Sequence, residues 1–270
     1  MNDKILNLPN KYQPMKTKEE IVNNWLPRYT GMPLEEFSQY ILLTNFSNYI
    51  EIFAEMTGAI IHGKGKAMQA ATAEGITMIN FGMGSANAAT IIDLISAVKP
   101  KAVMFLGKCG GLRKGPGIGG LILPIAAIRG EGTSNDYLPP EVPALPSFAL
   151  QKAISTTVRD HELDYWTGTV YTTNRRVWEW DEKFKQYLTD IRCRAIDMET
   201  ATIFTVAFAN KIPSGALLLI SDQPMTPDGV KTEASDNAVT VNYADMHVKI
   251  GIGSLKQLIN NGYTVKHLRF

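Results

Sequence analysis

Short apolar runs alternate with amphipathic stretches along most of the chain. Strands that alternate with helices are typical of α/β domains. The runs at 103–106 and 216–220 are apolar on both faces, as expected for central strands of a sheet that is covered on both sides. We therefore predict an α/β fold with a mixed central β-sheet flanked by helices. The predicted strands are 40–46, 59–62, 76–81, 102–106, 120–128, 167–171, 194–197 and 215–220. The predicted helices are 48–56, 86–98, 146–159, 179–188, 199–210 and 234–260.

The first 33 residues differ from the rest of the chain. They are polar and contain prolines at positions 9, 14, 27 and 33, and proline interrupts regular helices. We predict an N-terminal arm over 1–33, with one short helix at 18–25. The remainder, 34–270, has no internal repeat and no linker, so a single domain is the simplest interpretation.

The overall composition excludes several classes of partner. A formal net charge of +1 over 270 residues gives no reason to expect nucleic acid or an anionic membrane as a partner. Two cysteines, Cys109 and Cys193, do not make a disulfide framework and fit a reducing compartment. Residues 1–20 lack the apolar core of a signal peptide, and no apolar run is long enough to cross a bilayer. We expect a cytoplasmic protein.

Signals for cofactors and metals are weak. Residues 115–120 fit the pattern G-x-G-x-x-G, but a strand-like run follows them, whereas a dinucleotide-binding loop must open a helix. We interpret the segment as a plain turn. The four histidines and two cysteines show no ligand spacing, and Cys109 is better explained by packing than by nucleophilic chemistry. We expect no metal and no organic cofactor.

A glycine-flanked turn joins a predicted strand to a predicted helix at Gly82-Met83-Gly84-Ser85. Glycines allow the backbone to approach a ligand, and a helix N-terminus attracts anions. We expect Ser85 to cap the helix. A tight turn without a ligand explains the same residues, so the motif alone does not define a site.

Charged side chains follow three apolar strands. Lys108 comes after Gly107 at the end of one strand, where α/β sheets bind ligands, although a solvated lysine is an equal alternative. Two carboxylates, Asp197 and Glu199, follow a second strand, and Asp222 ends the most apolar strand of the chain. A carboxylate in such a position is either a helix cap or a functional acid.

Taken together, these pieces resemble the nucleoside phosphorylase and nucleosidase family. That family has a Gly-Met-Gly turn, a glycine-rich strand end, a Met-Glu helix start and a Ser-Asp strand end, in that order. The similarity extends over about 40–260. The matching residues are Gly82-Met83-Gly84, Gly107-Lys108-Cys109-Gly110-Gly111, Met198-Glu199 and Ser221-Asp222.

The resemblance implies a role for each matching residue. Glu199 would accept hydrogen bonds from the ribose hydroxyls, and Met198 would pack on the sugar. Asp222, preceded by Ser221, would give a proton or a hydrogen bond to N7 of a departing purine. By spacing, Trp178 corresponds to the aromatic residue that stacks on the base. The resemblance also implies a homo-oligomer, most simply a hexamer, and makes 34–270 the catalytic domain.

Departures from the family pattern point to hydrolysis. Aligned without gaps, the positions of the arginines with which phosphorylases hold inorganic phosphate are occupied by Tyr49, His62 and Phe105. Water thus becomes the better candidate for the attacking group. Lys108 replaces the usual small residue of the glycine-rich turn, and a nucleotide 5′-phosphate is the obvious anion for it. Further candidates for that phosphate are Arg28, Arg175 and Arg176.

These expectations together describe a small-molecule substrate, AMP, hydrolysed to adenine and ribose 5-phosphate. Two alternatives stay open. One is a purine nucleoside phosphorylase that uses inorganic phosphate, and the other is a nucleotide-binding sensor that has kept the fold but lost the chemistry.

Overall fold

The computed structural model describes residues 15–261. Each predicted helix and strand has a counterpart there, and one further strand, β3, is added. The helices are α1 (Lys18–Thr30), α2 (Ser47–Thr57), α3 (Ser85–Ile95), α4 (Phe148–Asp160), α5 (Glu182–Asp190), α6 (Thr200–Ala209) and α7 (Glu233–Asn260). The strands are β1 (Tyr40–Thr44), β2 (Ile61–His62), β3 (Gln69–Ala73), β4 (Ile76–Asn80), β5 (Ala102–Gly111), β6 (Leu121–Gly130), β7 (Tyr165–Thr173), β8 (Ala195–Asp197) and β9 (Ser214–Asp222).

The strands form one mixed sheet in the order β2-β3-β4-β1-β5-β8-β7-β6-β9. Strand β1 pairs in parallel with β4 and β5, whereas β8 is antiparallel to β5. Because β9 pairs with both β6 and β5, five strands close into a ring. The predicted mixed α/β sheet is confirmed. The closure, which removes the free edges of those strands, was not predicted.

Strands β5 and β9 are neighbours in this ring. All residues of both strands are buried, which explains why their sequences are apolar on both faces. Their parallel pairing begins at Val103 and Ser214, so their carboxyl ends reach the same edge of the sheet. The glycine-rich turn and the Ser-Asp pair are thereby brought side by side.

Helices cover both faces of the sheet. On one face Phe204 of α6 and Ile91 of α3 belong to a core cluster that also contains Leu26 of α1. On the other face Phe53 of α2, Ile154 of α4 and Val248 of α7 form a second cluster. Helix α1 lies in the predicted N-terminal arm, and its buried face packs against the domain.

Two elements differ from the sequence prediction. Strand β3 was missed because its Ala-rich sequence has low strand propensity. It forms a hairpin with β4 through Glu74 and Gly75, both of which have positive φ, as a two-residue turn requires. Helix α1 continues through Pro27 to a left-handed cap at Gly31, because Leu26 is completely buried and its packing offsets the proline.

Candidate active site

The carboxyl ends of β1, β5, β7, β8 and β9 surround a cavity of about 250 Å³. The cavity lies at the strand ends where α/β sheets bind ligands. Seven of the residues predicted to form a site line it: Met83, Lys108, Trp178, Met198, Glu199, Ser221 and Asp222. The other lining residues are Asn45, Phe46, Cys109, Gly110, Thr173, Arg175, Arg176, Glu179, Ile196, Asp197, Lys231 and Asp236.

The Met-Glu segment is fixed to the Gly-Met-Gly turn. The backbone N–H of Gly84 donates to Oε1 of Glu199 at 2.7 Å, and the hydroxyl of Ser85 donates to the carbonyl of Met198 at 2.6 Å. The prediction that Ser85 caps α3 is wrong, because Gly84 occupies the N-cap position and Ser85 is the first helical residue. The serine hydroxyl therefore holds the neighbouring segment instead.

Asp197 binds the first turn of α6, whose N-cap position is occupied by Glu199. Its Oδ2 accepts the backbone N–H of Thr200 at 2.8 Å and also the Thr200 hydroxyl, while Oδ1 accepts the hydroxyl of Thr172 at 2.7 Å. Thr172 in turn accepts the N–H of Ala201 at 2.9 Å. Of the two carboxylates that follow β8, one is thus used by the helix, and Glu199 remains for the cavity.

Glu199 is an acid with a raised pKa. Burial and the charge of Asp197 raise the pKa of Glu199 to about 8, against the hydrogen bonds from Gly84, Met198 and Asn45. A raised pKa in a cleft is typical of functional carboxyl groups. Hydroxyl groups of a ligand that donate to Glu199 would favour its ionised form.

Asp222 lies at the end of β9 with only 9% of its surface exposed. The Ser221 hydroxyl donates to Oδ1 of Asp222 at 2.7 Å, and Nζ of Lys231 is 3.7 Å from the same oxygen. Lys231 was missed in the sequence, where it is one lysine in a polar loop after the Ser-Asp pair. Because both groups approach Oδ1, the second oxygen, Oδ2, is the better placed to carry a proton.

Lys108 is a buried cation that already has partners. Its Nζ lies 3.0 Å from Oδ1 of Asp236 and 2.8 Å from Oγ1 of Thr240, and it stands 4.5 Å from the centre of the Phe46 ring. Only 2% of its side chain is exposed. Burial lowers the pKa of Lys108, although the hydrogen bond with Asp236 opposes this change. The charge is compensated within the protein, which argues against Lys108 as a phosphate anchor.

Aromatic and basic groups line another part of the cavity. Trp178 is buried and meets the ring of Phe184 edge-on at 5.4 Å. Arg175 and Arg176 are about half exposed and pair with Asp181 and Glu179, respectively. Since a guanidinium group has five N–H donors, both arginines can bind another anion beside their carboxylate partners.

Three predicted site residues lie outside the cavity wall. Gly82, with φ of 80°, forms the turn rather than the wall. A Cβ on Gly107 would stand 2.5 Å from the Phe105 ring, so this glycine permits packing beneath the site. Arg28 is an exposed residue of α1. The segment 115–120 precedes β6 as a turn, as predicted, and does not belong to the cavity wall.

The three positions that align with phosphate-binding arginines have other partners. Tyr49 is completely buried, with its hydroxyl 2.9 Å from Nδ1 of His247. Phe105 is completely buried under the ring of Phe81. His62 lies in the short strand β2 beside Glu36, at 3.4 Å. None of the three lines the cavity of the described chain.

The described residues give no sign of a metal centre or a membrane span. Within residues 15–261 no three His, Cys, Asp or Glu side chains are grouped so that they could hold a metal ion. In the same part of the chain, no helix has the length and apolar character needed to cross a bilayer.

The fold and the site together define the class of protein. A family model, the phosphorylase superfamily, matches residues 29–250, and the chain therefore belongs to the phosphorylase superfamily. A crystal structure of AMP nucleosidase from Bacteroides thetaiotaomicron VPI-5482 is similar, with a TM-score of 0.82 and 58% sequence identity. That match covers 91% of this chain and 99% of the other. The family predicted from the four motifs is confirmed.

Two further proteins are similar to the chain. AMP nucleosidase from Escherichia coli K12 is 28% identical over 284 residues, which cover 88% of this chain and 58% of the relative. The chain thus spans little more than half the length of that curated relative. A uridine phosphorylase from Vibrio fischeri ES114 shares the fold, with a TM-score of 0.72 at 20% identity over 83% of this chain and 93% of the other.

Proposed function

We propose that the protein hydrolyses the N-glycosidic bond of AMP, giving adenine and ribose 5-phosphate. The observation that carries this proposal is that Glu199, Asp222 and Trp178 line one cavity although they are far apart in the sequence. The two relatives named AMP nucleosidase support it, and one of them is 58% identical over nearly its whole length.

The chemistry of the bond suits these residues. Cleavage places positive charge on the ribose ring and negative charge on the departing purine. Asp222 would donate a proton from Oδ2 to N7 as the base leaves, which removes the negative charge. Glu199 would accept the ribose hydroxyls and stabilise the cation electrostatically. Trp178 would offer the adenine a flat apolar surface.

Water is the proposed attacking group. Inorganic phosphate needs several cations or backbone donors to be held in place. Tyr49 and Phe105, at the positions of two phosphate-binding arginines, are uncharged and fully buried. The two lysines that line the cavity, Lys108 and Lys231, already contact Asp236. Hydrolysis is therefore favoured over phosphorolysis.

The 5′-phosphate of AMP is assigned to Arg175 and Arg176. These arginines line the cavity, and their side chains are 43% and 51% exposed. Each guanidinium group has five N–H donors, so each arginine can bind a dianionic phosphate and keep its carboxylate partner. Arg28, in contrast, would have to serve the site of another subunit. Replacing both arginines by alanine should reduce kcat/KM for AMP and spare adenosine.

A substrate panel tests the proposed function. AMP, adenosine, GMP and IMP are incubated with the protein with and without phosphate, and base release is measured by chromatography. We expect adenine from AMP without added phosphate, and ribose 5-phosphate as the other product. Turnover that requires phosphate would instead assign a phosphorylase, and tight AMP binding without adenine release would assign a sensor.

A homohexamer and a cytoplasmic location also remain predictions, which mass determination in solution and cell fractionation can check.

A further inference from the structure

The proposed hydrolysis needs a group that the roles above do not supply. When water attacks C1′ of the ribose, it must lose a proton, and a carboxylate near the attacking oxygen is the usual acceptor. Five carboxylates line the cavity: Asp197, Glu179, Glu199, Asp222 and Asp236. The inference that follows rests on the proposed function and asks which of them is the base.

Four of the five carboxylates already have donors on both oxygens or another proposed role. Asp197 accepts donors on both oxygens from Thr172 and Thr200. The carboxylate of Glu179 is bound by Arg176 and by the backbone N–H of Trp178, at 3.2 and 2.9 Å. Glu199 accepts the backbone N–H of Gly84 and is assigned to the sugar hydroxyls. Asp222 is assigned to the departing purine. A carboxylate with donors on both oxygens is a poor proton acceptor, whereas the lysines beside Asp236 both contact Oδ1.

Asp236 differs from these four in position and exposure. It lies in the first turn of α7, and its side chain is 36% exposed, against 12% for Asp222 and 14% for Glu179. Water therefore reaches it more readily. Burial raises the pKa of Asp236, but Lys108 and Lys231 outweigh that effect and hold the pKa below its usual value. Asp236 is thus ionised at neutral pH.

Two lysines hold Asp236 close to Asp222. Nζ of Lys108 is 3.0 Å and Nζ of Lys231 is 3.5 Å from Oδ1 of Asp236. Lys231 is also 3.7 Å from Oδ1 of Asp222. The distance between Oδ1 of Asp222 and Oδ1 of Asp236 is therefore at most about 7.2 Å, the sum of their distances from Nζ of Lys231. The two aspartates are therefore close enough to act on one ligand as separate acid and base, the division of roles used in glycoside hydrolysis with inversion.

We propose that Asp236 is the general base for the attacking water and that Lys108 is the residue that positions it. The water oxygen forms a bond to C1′ while the bond from C1′ to N9 breaks and its electron pair moves to the purine. The purine receives the proton of Asp222 at N7, and Asp236 receives a proton from the water. Both aspartates then exchange protons with solvent, and no other reactant is needed.

A carboxylate with a lowered pKa is sufficient for this step. The water attacks a ribosyl centre that already carries positive charge, so its proton becomes acidic as the new bond forms. The base needs to be placed correctly rather than to be strong. This also gives Lys108 a function, since burying an ammonium group is unfavourable unless it is paired and hydrogen-bonded.

The test compares Asp236→Ala with a matched control, Glu233→Gln, which removes an exposed charge from the same first turn of α7. Asp236→Ala should lower kcat by about 10²–10⁴-fold, and by the same factor for AMP and for adenosine. Glu233→Gln should keep the parent rate. Azide, an anionic nucleophile with no proton to lose, should restore adenine release by Asp236→Ala and form the ribosyl azide. Azide should not restore Asp222→Asn, which lacks the acid.

Several results would overturn the assignment. One is an Asp236→Ala rate within about threefold of the parent. Another is a loss for AMP that spares adenosine, which would make Asp236 part of the phosphate site. A third is a folded Asp236→Ala protein that azide leaves inactive, which would make its role structural. Thermal melts and the isosteric Asp236→Asn variant guard against misfolding. A parent protein that releases no adenine from AMP under any condition would refute the proposed function before any variant is compared.

Discussion

The backbone N–H of Gly84 lies 2.7 Å from Oε1 of Glu199, and this hydrogen bond joins two segments that are 115 residues apart in the chain. On the other side, Asp197 ties the same segment to β7 and α6 through Thr172 and Thr200. Glu199 is therefore held from two directions before any ligand binds. A carboxyl group that is fixed in advance loses little entropy when it meets the sugar.

Replacing Glu199 by glutamine should lower kcat/KM for AMP by about 10²-fold or more, because the neutral amide cannot stabilise the ribosyl cation. A 2′-deoxy substrate should then be penalised much less in the variant than in the parent. Steady-state kinetics with AMP and 2′-deoxy-AMP give both numbers. Equal penalties in the two proteins would remove Glu199 from the sugar site.

Replacing Asp197 by asparagine should act on Glu199 from a distance. The asparagine amide would direct an N–H donor at the N–H and hydroxyl of Thr200, which are themselves donors. The substitution also removes the charge that helps to raise the pKa of Glu199. The free enzyme should show kcat/KM rising with pH through a midpoint near 8, and this midpoint should move to lower pH in the variant. Thr172→Val, which loses a hydrogen bond but keeps the charge, is the control. An unmoved midpoint in Asp197→Asn would contradict the coupling.

Asp222→Asn should abolish most turnover while leaving AMP binding largely intact. The amide can donate a hydrogen bond to N7 but cannot deliver a proton, and general acids contribute roughly 10²–10⁴-fold in rate. Single-turnover adenine release and calorimetric binding of AMP separate the two effects. A near-normal kcat would show that another group protonates the base.

Trp178→Ala should weaken AMP binding by roughly 1–3 kcal/mol, the range for a base that stacks on an aromatic ring. Trp178→Phe, which retains a ring, should recover much of that loss. Trp178 is also part of a small apolar cluster with Leu112 and Leu188, so both variants need thermal melts. A folded alanine variant with unchanged KM for AMP would leave Trp178 with a packing role alone.

His247 should make the fold sensitive to acid. Burial lowers the pKa of His247 to about 4 from 6.5, and its ring nitrogens contact Tyr49 and the carbonyl of Leu217. The unfolded chain binds more protons than the folded one between these values. The free energy of unfolding should therefore fall by roughly 3 kcal/mol from this residue as pH drops from 6.5 to 4.

Urea titrations at several pH values measure this dependence. His247→Gln should lose that part of the pH dependence, whereas substitution of the exposed His161 should not. Parallel curves for the parent and His247→Gln would show that other groups control acid unfolding.

The sequence was informative wherever structure depends on short segments. The apolar runs located the strands, and the polar residues that follow them, such as Lys108 and Asp222, proved to line one cavity. This works because the carboxyl ends of parallel strands meet at one edge of a sheet. The missed strand β3 lacks any such run, since its stability comes from pairing with β4 rather than from its own propensity.

Contacts between distant segments could not be predicted. Asp197 and Glu199 are two residues apart and look alike in the sequence, and only the positions of Thr172 and Gly84 decide which one binds the start of α6 and which one binds the Gly-Met-Gly turn. Asp236 lies in the first turn of a helix, where acidic residues are common because of the helix dipole, and Lys231 lies in the polar loop before it. Their relation to Lys108 and Asp222 depends on how α7 crosses the sheet.

The closed ring of five strands divides the cavity into two kinds of wall. Asp222, Ser221 and Lys108 belong to β9 and β5, which pair with each other along most of their length, so none of the three can shift without disturbing those pairs. Trp178, Arg175 and Arg176 stand instead on the loop between β7 and α5, whereas Asp236 is tied to Lys108 at 3.0 Å. A ligand would therefore enter and leave by movement of this loop alone, while Asp222 and Lys108 keep their places.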